Sequence, residues 1–224
     1  MTDGLIIFDC DGVLVDSEAL VVDVESEILT AAGFPLSPQD LIEQYVGLNY
    51  EAMMTSIGEA FGRPVPPDVA AAVPQAALDR LVAEVRPVPG ITEVLDGLGS
   101  RPRCVASSSS VERIEASLRT AGIDHHVKPE WIFSADHVEN PKPAPDVFVL
   151  AARSMGVDPA RCLVIEDSGH GVTAAVAAGM TAVGFVAAGH MRPDSGERLV
   201  AAGAVEVFAR GDALAEYVMG FQPG

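Results

Sequence analysis

Cations are scarce in this sequence. Fourteen Lys+Arg stand against 32 Asp+Glu in 224 residues, a formal charge of −18. Such a chain repels nucleic acid and anionic membranes unless one face is locally basic, and no long basic run supplies that face. Neither partner is therefore expected. Cysteine is also scarce. Cys10, Cys104 and Cys162 are too few and odd in number for a disulfide framework. Each lies in or beside an apolar run, where a thiol acts as a small core residue, and reduced thiols suit the cytoplasm.

Long hydrophobic runs are missing as well. Leu5 to Phe8 is too short for the apolar region of a signal peptide, and the acidic Asp3 precedes it, so no signal peptide is expected. Gly171 to Gly189 is uncharged over about the length of one membrane crossing. It contains no Leu or Ile, however, and Gly179 and Gly184 interrupt it. A helix over Gly171–Ala178, a Gly179 cap and a strand from Thr181 to Val186 fit it better.

What is present is ordinary globular material: 49% hydrophobic and 21% charged residues. The length suits one large domain, or one with a modest insert, and its core needs no staple. Short apolar runs recur at Leu5–Phe8, Cys104–Ala106, Trp131–Phe133, Leu163–Ile165, Ala182–Val186 and Val205–Phe208. Their near-continuous hydrophobicity fits strands buried on both faces of a parallel sheet. Helical patterns alternate with them. Val111, Ile114 and Leu118 share one face, with Ser110 to cap the start and Gly122 to end it; Pro145-Asp146 opens another helix that Gly156 stops. This alternation predicts an α/β fold with a doubly wound, Rossmann-like parallel sheet.

The first strand breaks the rhythm. A long block after it carries helices and no convincing strand. Leu20, Val24 and Ile28 share a face; Ser37-Pro38 starts a second helix; Gly47-Leu48-Asn49 precedes a third; Pro64, Pro66 and Pro67 precede a longer helix through Leu78 and Leu81. Arg86 to Gly90 reads as a stiff linker back. The expected division is a core of 1–15 with 86–224 and a helical insert at 16–85.

The strongest chemical signal is Asp9-Cys10-Asp11-Gly12 directly after the first strand. Ligands of open parallel sheets bind beyond the carboxyl ends of the strands. Two carboxylates there can supply a nucleophile and a proton shuttle, and their charge asks for a hard cation such as Mg2+. The plainer alternative is a polar turn with an Asx cap. Cys10 lies between the acids but alternation points it away from them.

Three more strand ends carry useful residues. Ser107 to Ser110 offers hydroxyls and amides for phosphate oxygens, or a serine-rich turn with a helix cap. Lys142 sits among Pro141, Pro143 and Pro145, where a fixed cation can neutralise a phosphate or the nucleophilic carboxylate; a solvated lysine is the alternative. Glu166-Asp167 can complete a metal site, or cap the helix that follows.

Taken in order, these four motifs resemble those of the haloacid dehalogenase superfamily, specifically its phosphatase-like members with a helical cap. The resemblance covers essentially the whole chain. It implies Asp9 as the nucleophile that forms an aspartyl-phosphate and Asp11 as general acid, then base. Ser107 matches the hydroxyl that binds the phosphoryl group, with Ser108 beside it, and Lys142 matches the lysine of the third motif. The implied Mg2+ site is Asp9, Asp11 and Asp167, with Glu166 as a further ligand or support. The helical insert would close over the site.

The resemblance also extends to β-phosphoglucomutase-like sugar phosphomutases, which share the serine-rich motif and the Lys-Pro-Ala-Pro-Asp run. Those carry a His on the first cap helix, where this chain has Ser17 to Val22, and an Arg in the cap loop, where it has Gly47-Leu48-Asn49-Tyr50. Hydrolysis of a small phosphate monoester is therefore expected, with the mutase as the alternative. The full set of acids argues against a silent binding module. Glu18, Asn49 and Tyr50, with Arg80 beyond them, are candidates for contacting the leaving group, which a polar loop suits to a sugar phosphate or similar metabolite. His170 and His190 fall near the rim, where the preferred reading for each is an incidental surface histidine. A monomer or small homo-oligomer is expected.

Overall fold

The computed structural model describes residues 4–45 and 50–223. Leu5–Phe8 has no polar side chain and is buried throughout, which suits a central strand, and it forms β1. Four helices follow: α1 (Ser17–Ala31), α2 (Pro38–Gln44), α3 (Tyr50–Ala60) and α4 (Pro67–Glu84). The chain then alternates through α5 (Ile91–Gly97), β2 (Arg103–Ser107), α6 (Val111–Thr120), β3 (Ile132–Ser134), α7 (Asp146–Met155) and β4 (Cys162–Glu166). It ends with α8 (Gly169–Ala177), β5 (Thr181–Phe185), α9 (Ser195–Ala202), β6 (Val207–Phe208) and α10 (Gly211–Gly220). Two units result, one of residues up to 16 with those from 86 onward, the other of 17–85.

In the first unit the six strands lie in the order β3-β2-β1-β4-β5-β6, all parallel. The order reverses between β1 and β4, and the crevice outside their carboxyl ends is where doubly wound sheets bind ligands. Register sets the level of that rim: Phe8 lies opposite both Val105 and Ile165, so Asp9, Ala106 and Glu166 emerge side by side. Leu5, Ile7, Cys104, Ala106, Cys162 and Val164 pack on one face with Val147, Phe148 and Val172 of α7 and α8. Alternation turns Ile6, Phe8, Val105, Leu163 and Ile165 to the other face, and these are fully buried too.

The second unit has its own core, in which Val22 and Leu29 of α1 meet Phe34, Leu36, Leu41, Met53 and Ile57. Helix α2 starts with a capping box: Ser37 accepts from the Asp40 amide and Asp40 accepts from the Ser37 amide. A cap of this kind is worth about 1 kcal/mol.

Several local expectations need correction. Of the expected α1 face Val24 is buried and Leu20 and Ile28 are half-buried, while the stripe in this core runs through Val22 and Leu29; the helix is buried on more than one side. Leu78 is exposed although Leu81 is buried. Trp131 precedes β3 in a short 3-10 turn, and β6 pairs over only two residues at the sheet edge. The uncharged Gly171–Gly189 stretch divides between α8 and β5. Among the described residues no helix is long and apolar enough to cross a membrane.

Candidate active site

The rim between β1 and β4 gathers three carboxylates. Asp9 follows β1, Glu166 ends β4, Asp167 follows it, and one oxygen from each falls within a span of 4.8 Å. Burial alone would make that repulsive. Lys142 relieves it. Its Nζ donates to Asp9 Oδ1 at 2.6 Å, to Glu166 Oε1 at 2.7 Å and to the Ala106 carbonyl at 3.0 Å. An ammonium has three donors, and all three are assigned here. In this structure the amine holds the Asp9 carboxylate. The Phe148 ring covers the amine, 4.7 Å from its centroid.

Burial pulls the Lys142 amine towards neutrality, but Asp9 and Glu166 outweigh it and raise its pKa, so it stays charged. Asp9 moves up, from burial first and the Glu166 and Asp167 charges as well, with Lys142 opposing. A cation beside Asp9 would favour its ionised form.

Glu166 is fully buried, and its other oxygen, Oε2, accepts from the Asp167 amide, the Ser168 amide and the Ser168 hydroxyl at 3.1, 3.1 and 2.9 Å. Ser168 in turn caps α8 by accepting from the Gly171 amide at 3.0 Å. There is no room for a side chain at Gly171: a Cβ there would sit 1.7 Å from Glu166 Oε1. Gly12 is equally constrained. Its φ is +80°, and a Cβ would meet Asp167 Oδ2 at 1.9 Å. Glycine at both places lets the backbone close onto the acids.

The end of β2 brings Ser107, nearly fully buried, whose hydroxyl accepts from the Ser109 amide at 3.1 Å and keeps its own proton to donate. Ser108 is exposed. Asp11 is held away from the acid cluster: Ser109 Oγ donates to its Oδ2 at 2.6 Å and Arg113 Nη2 lies 3.1 Å from its Oδ1. Ser134 at the end of β3 braces that turn by donating to the Ser109 carbonyl at 2.7 Å. Cys10 is buried, and burial, followed by the charges of Asp11 and Asp9, raises its thiol well above the ordinary range, which leaves it inert.

His190 departs from the surface reading. It is 6% exposed, and its Nε2 lies 3.3 Å from Asp167 Oδ2. His170 is exposed, as the surface reading has it. Arg113 and Gly171 also escaped sequence reasoning as site residues, and Ser109, expected to face phosphate oxygens, donates to Asp11 instead. The nearest signal was position: each follows a strand end by a few residues, at or near the first turn of a helix.

The candidates of the second unit are less engaged. Glu18 is exposed in the first turn of α1. Tyr50 donates its hydroxyl to the Ala70 carbonyl at 2.6 Å, and burial, with the Glu25 charge adding, pushes its pKa up to about 12. Arg80 pairs with Glu27 at 2.6 Å and Glu84 at 3.3 Å, so its charge is used inside the helical unit. Asn49, with the rest of the Gly47–Asn49 segment, lies outside the described residues.

Residues 6–185 match the haloacid dehalogenase-like hydrolase family. The chain is 34% identical to the fructose-1-phosphate phosphatase YqaB of Escherichia coli K12 over 80% of its own length and 94% of that protein. It is 26% identical to the 6-phosphogluconate phosphatase of the same organism, over 84% and 85%. Among solved structures it resembles a haloacid dehalogenase-like protein from Agrobacterium tumefaciens C58, with 36% identity, a TM-score of 0.87 and coverage of 97% and 98%. A haloacid dehalogenase family hydrolase from Deinococcus radiodurans R1, crystallised with bound phosphate and sodium, gives 29% identity, a TM-score of 0.88 and 99% coverage of both chains. Family match, relatives and strand-end acids agree, and the chain belongs to the haloacid dehalogenase-like hydrolases.

Proposed function

We propose that the protein is a phosphatase that hydrolyses a small phosphate monoester, a sugar phosphate or similar metabolite, through an aspartyl-phosphate on Asp9. The carrying observation is the buried Asp9 carboxylate fixed by Lys142 at the switch point of the sheet. The sugar-phosphate class rests on the relatives' names. Reduced, buried cysteines suit a cytoplasmic protein.

The donor set fits a hard divalent cation such as Mg2+: it is all oxygen, and three acids face one lysine and one histidine. Asp9, Asp167 and the backbone carbonyl of Asp11 would hold it. Both oxygens of Glu166 are already engaged, which supports Glu166 as the residue that positions Lys142 and the Asp167-Ser168 turn. Bound there, Mg2+ offsets the repulsion between a phosphate dianion and the acids.

The chain's own residues supply the rest. Lys142 holds one Asp9 oxygen, and the other attacks phosphorus as the P–O bond to the leaving alcohol breaks. Ser107 and neighbouring amides steady the equatorial phosphoryl oxygens. Asp11 gives its proton to the departing alkoxide, then takes one from the water that attacks the aspartyl-phosphate, returning Asp9 and releasing inorganic phosphate. To act as the acid, Asp11 must carry its proton on an oxygen turned to the leaving group, while its lone pairs can still accept from Ser109 or Arg113. By the family resemblance the helical insert 17–85 would act as a cap, and Glu18, Asn49 and Tyr50 remain the candidates for leaving-group contacts.

The test is turnover of a sugar-phosphate panel, fructose 1-phosphate and 6-phosphogluconate included, with Mg2+ and with chelator. Phosphate release that needs both Mg2+ and Asp9 is the expected result. Isomerised sugar phosphate in place of free phosphate would select the mutase, and release by Asp9→Asn at the wild-type rate would remove Asp9 as nucleophile.

A further inference from the structure

A second cluster of charge lies at the amino-terminal end of the strands, opposite the acid rim. Arg103 and Ser107 are the two ends of β2, so about 13 Å of strand separates the acid rim from this end. A cavity of about 550 Å3 opens here, lined by Arg101, Arg103, His125, His126, Lys128 and Trp131 among others. Three of the fourteen lysines and arginines and two of the five histidines thus face one space.

That grouping runs against the composition. Acids outnumber cations more than two to one, so a cation without an acid partner is the exception. Yet among the described residues no carboxylate lies within ion-pair distance of Arg101, Arg103 or Lys128. Arg101 donates to the carbonyls of Val218, Met219 and Phe221, and Arg103 to those of Leu95 and Gly99. These bonds fix the guanidinium groups without neutralising them. Lys128 Nζ stands 4.5 Å from the Trp131 ring centroid, and the His125 and His126 rings are 4.0 Å apart.

One acid does reach the cluster: Asp96 Oδ1 lies 3.5 Å from His126 Nε2. Even so His126 is held below its ordinary pKa, by burial first and then by His125, with Arg103 adding and Asp96 opposing. Three cations thus line the cavity, with Asp96 the acid in contact and Asp124 and Glu130 next to His125 and Trp131 in sequence. Screening over about 8 Å at physiological salt removes most of the repulsion an incoming anion would feel from acids elsewhere on the chain.

We propose that this cavity binds a small oxyanion of the phosphate class, either inorganic phosphate or the phosphate group of a metabolite. The cations without acid partners supply charge, and Trp131 supplies apolar surface for any carbon skeleton attached.

The reporter is built in, because Trp131 is the chain's single tryptophan. Titrating the full-length protein with inorganic phosphate should give a saturable change in tryptophan emission at millimolar concentration, beyond a sodium chloride control of equal ionic strength. Asp9→Asn should respond with the same midpoint, which separates this site from the catalytic rim. In that background glucose 6-phosphate replaces phosphate as the second arm without being turned over; saturation by either probe supports the site and identifies the source. Lys128→Gln and His125→Asn, both at exposed positions, should each move the midpoint upwards about fivefold or more; His125→Asn leaves the Lys128–Trp131 pair intact as a reporter. A response that only follows ionic strength, or a midpoint unmoved in the Lys128→Gln/His125→Asn double variant, overturns the proposal.

Discussion

Lys142 Nζ lies 2.7 Å from Glu166 Oε1, so the last residue of β4 fixes the amine that holds the Asp9 carboxylate. The pair is almost wholly shielded from water, with side chains 5% and 1% exposed. Removing one partner from such a site leaves a buried charge unmatched, at a cost of about 3–5 kcal/mol. Lys142→Met strands both Asp9 and Glu166. It should lower unfolding stability by that amount in urea titration and abolish turnover. Glu166→Gln keeps the shape and a neutral acceptor. Its expected effect is a loss of about 10–100-fold in kcat with KM little changed. Equal kcat in Glu166→Gln and wild type would show that Glu166 positions nothing.

Two glycines of α8 separate local helix effects from effects on the acids. Gly169 has open surroundings, a Cβ there meeting only Ala202 Cβ at 3.9 Å, whereas at Gly171 it would fall 1.7 Å from Glu166 Oε1. Gly169→Ala should therefore be neutral or stabilise by up to about 1 kcal/mol. Gly171→Ala forces the Glu166 carboxyl out of the hydrogen bonds that hold it. Turnover should fall at least about 10-fold, with a stability loss of about 1–3 kcal/mol measured by thermal melting.

These glycines mark the limit of what the sequence made legible. The six apolar runs all became strands because burial on both faces leaves a composition with few alternatives, and Asp9 and Glu166 come level because register is set by those same runs, while Lys142 reaches them from the loop before α7. Helices without a clean stripe were another matter. Helices α5, α9 and α10 went unremarked, and the buried stripe of α1 was misplaced, since short or doubly buried helices carry little periodic signal. Arg113 and His190 reach Asp11 and Asp167 across long sequence separations, through loops whose paths no local pattern encodes. Gly171 is needed because of a side chain five residues earlier, a packing fact visible only once both are placed.

Asp11 offers a test by leaving group. An alcohol with a high pKa leaves only if it is protonated, while a nitrophenolate leaves unaided. Asp11→Asn should lower kcat/KM for an alkyl sugar phosphate by about 100-fold or more. The first step with p-nitrophenyl phosphate should slow far less in a rapid-mixing burst measurement, since only the later attack of water still needs a base. Losses of the same size for both substrates in that first step would rule out Asp11 as the acid.

Glu25 on α1 carries a pH signature. It is 7% exposed, and burial, with the Glu18 charge adding, raises its pKa from 4.5 to about 7. The unfolded chain releases this proton near the lower value and the folded protein only near the higher one. Between them the native state binds more protons, so stability falls as pH rises, by up to about 3 kcal/mol in all, and the loss is complete above about pH 7. Glu25→Gln removes the titration while keeping nearly the same volume. The variant should match wild type near pH 4.5 and exceed it at pH 8 by about 1–3 kcal/mol, which is about 2–10 °C in melting temperature for a chain of this size. Asp9 shifts in the same direction and contributes to the same slope in both proteins, so the difference between the two curves reports Glu25 alone. Parallel melting curves across pH 4.5 to 8 would show that Glu25 titrates at its ordinary value and that its burial is relieved by water.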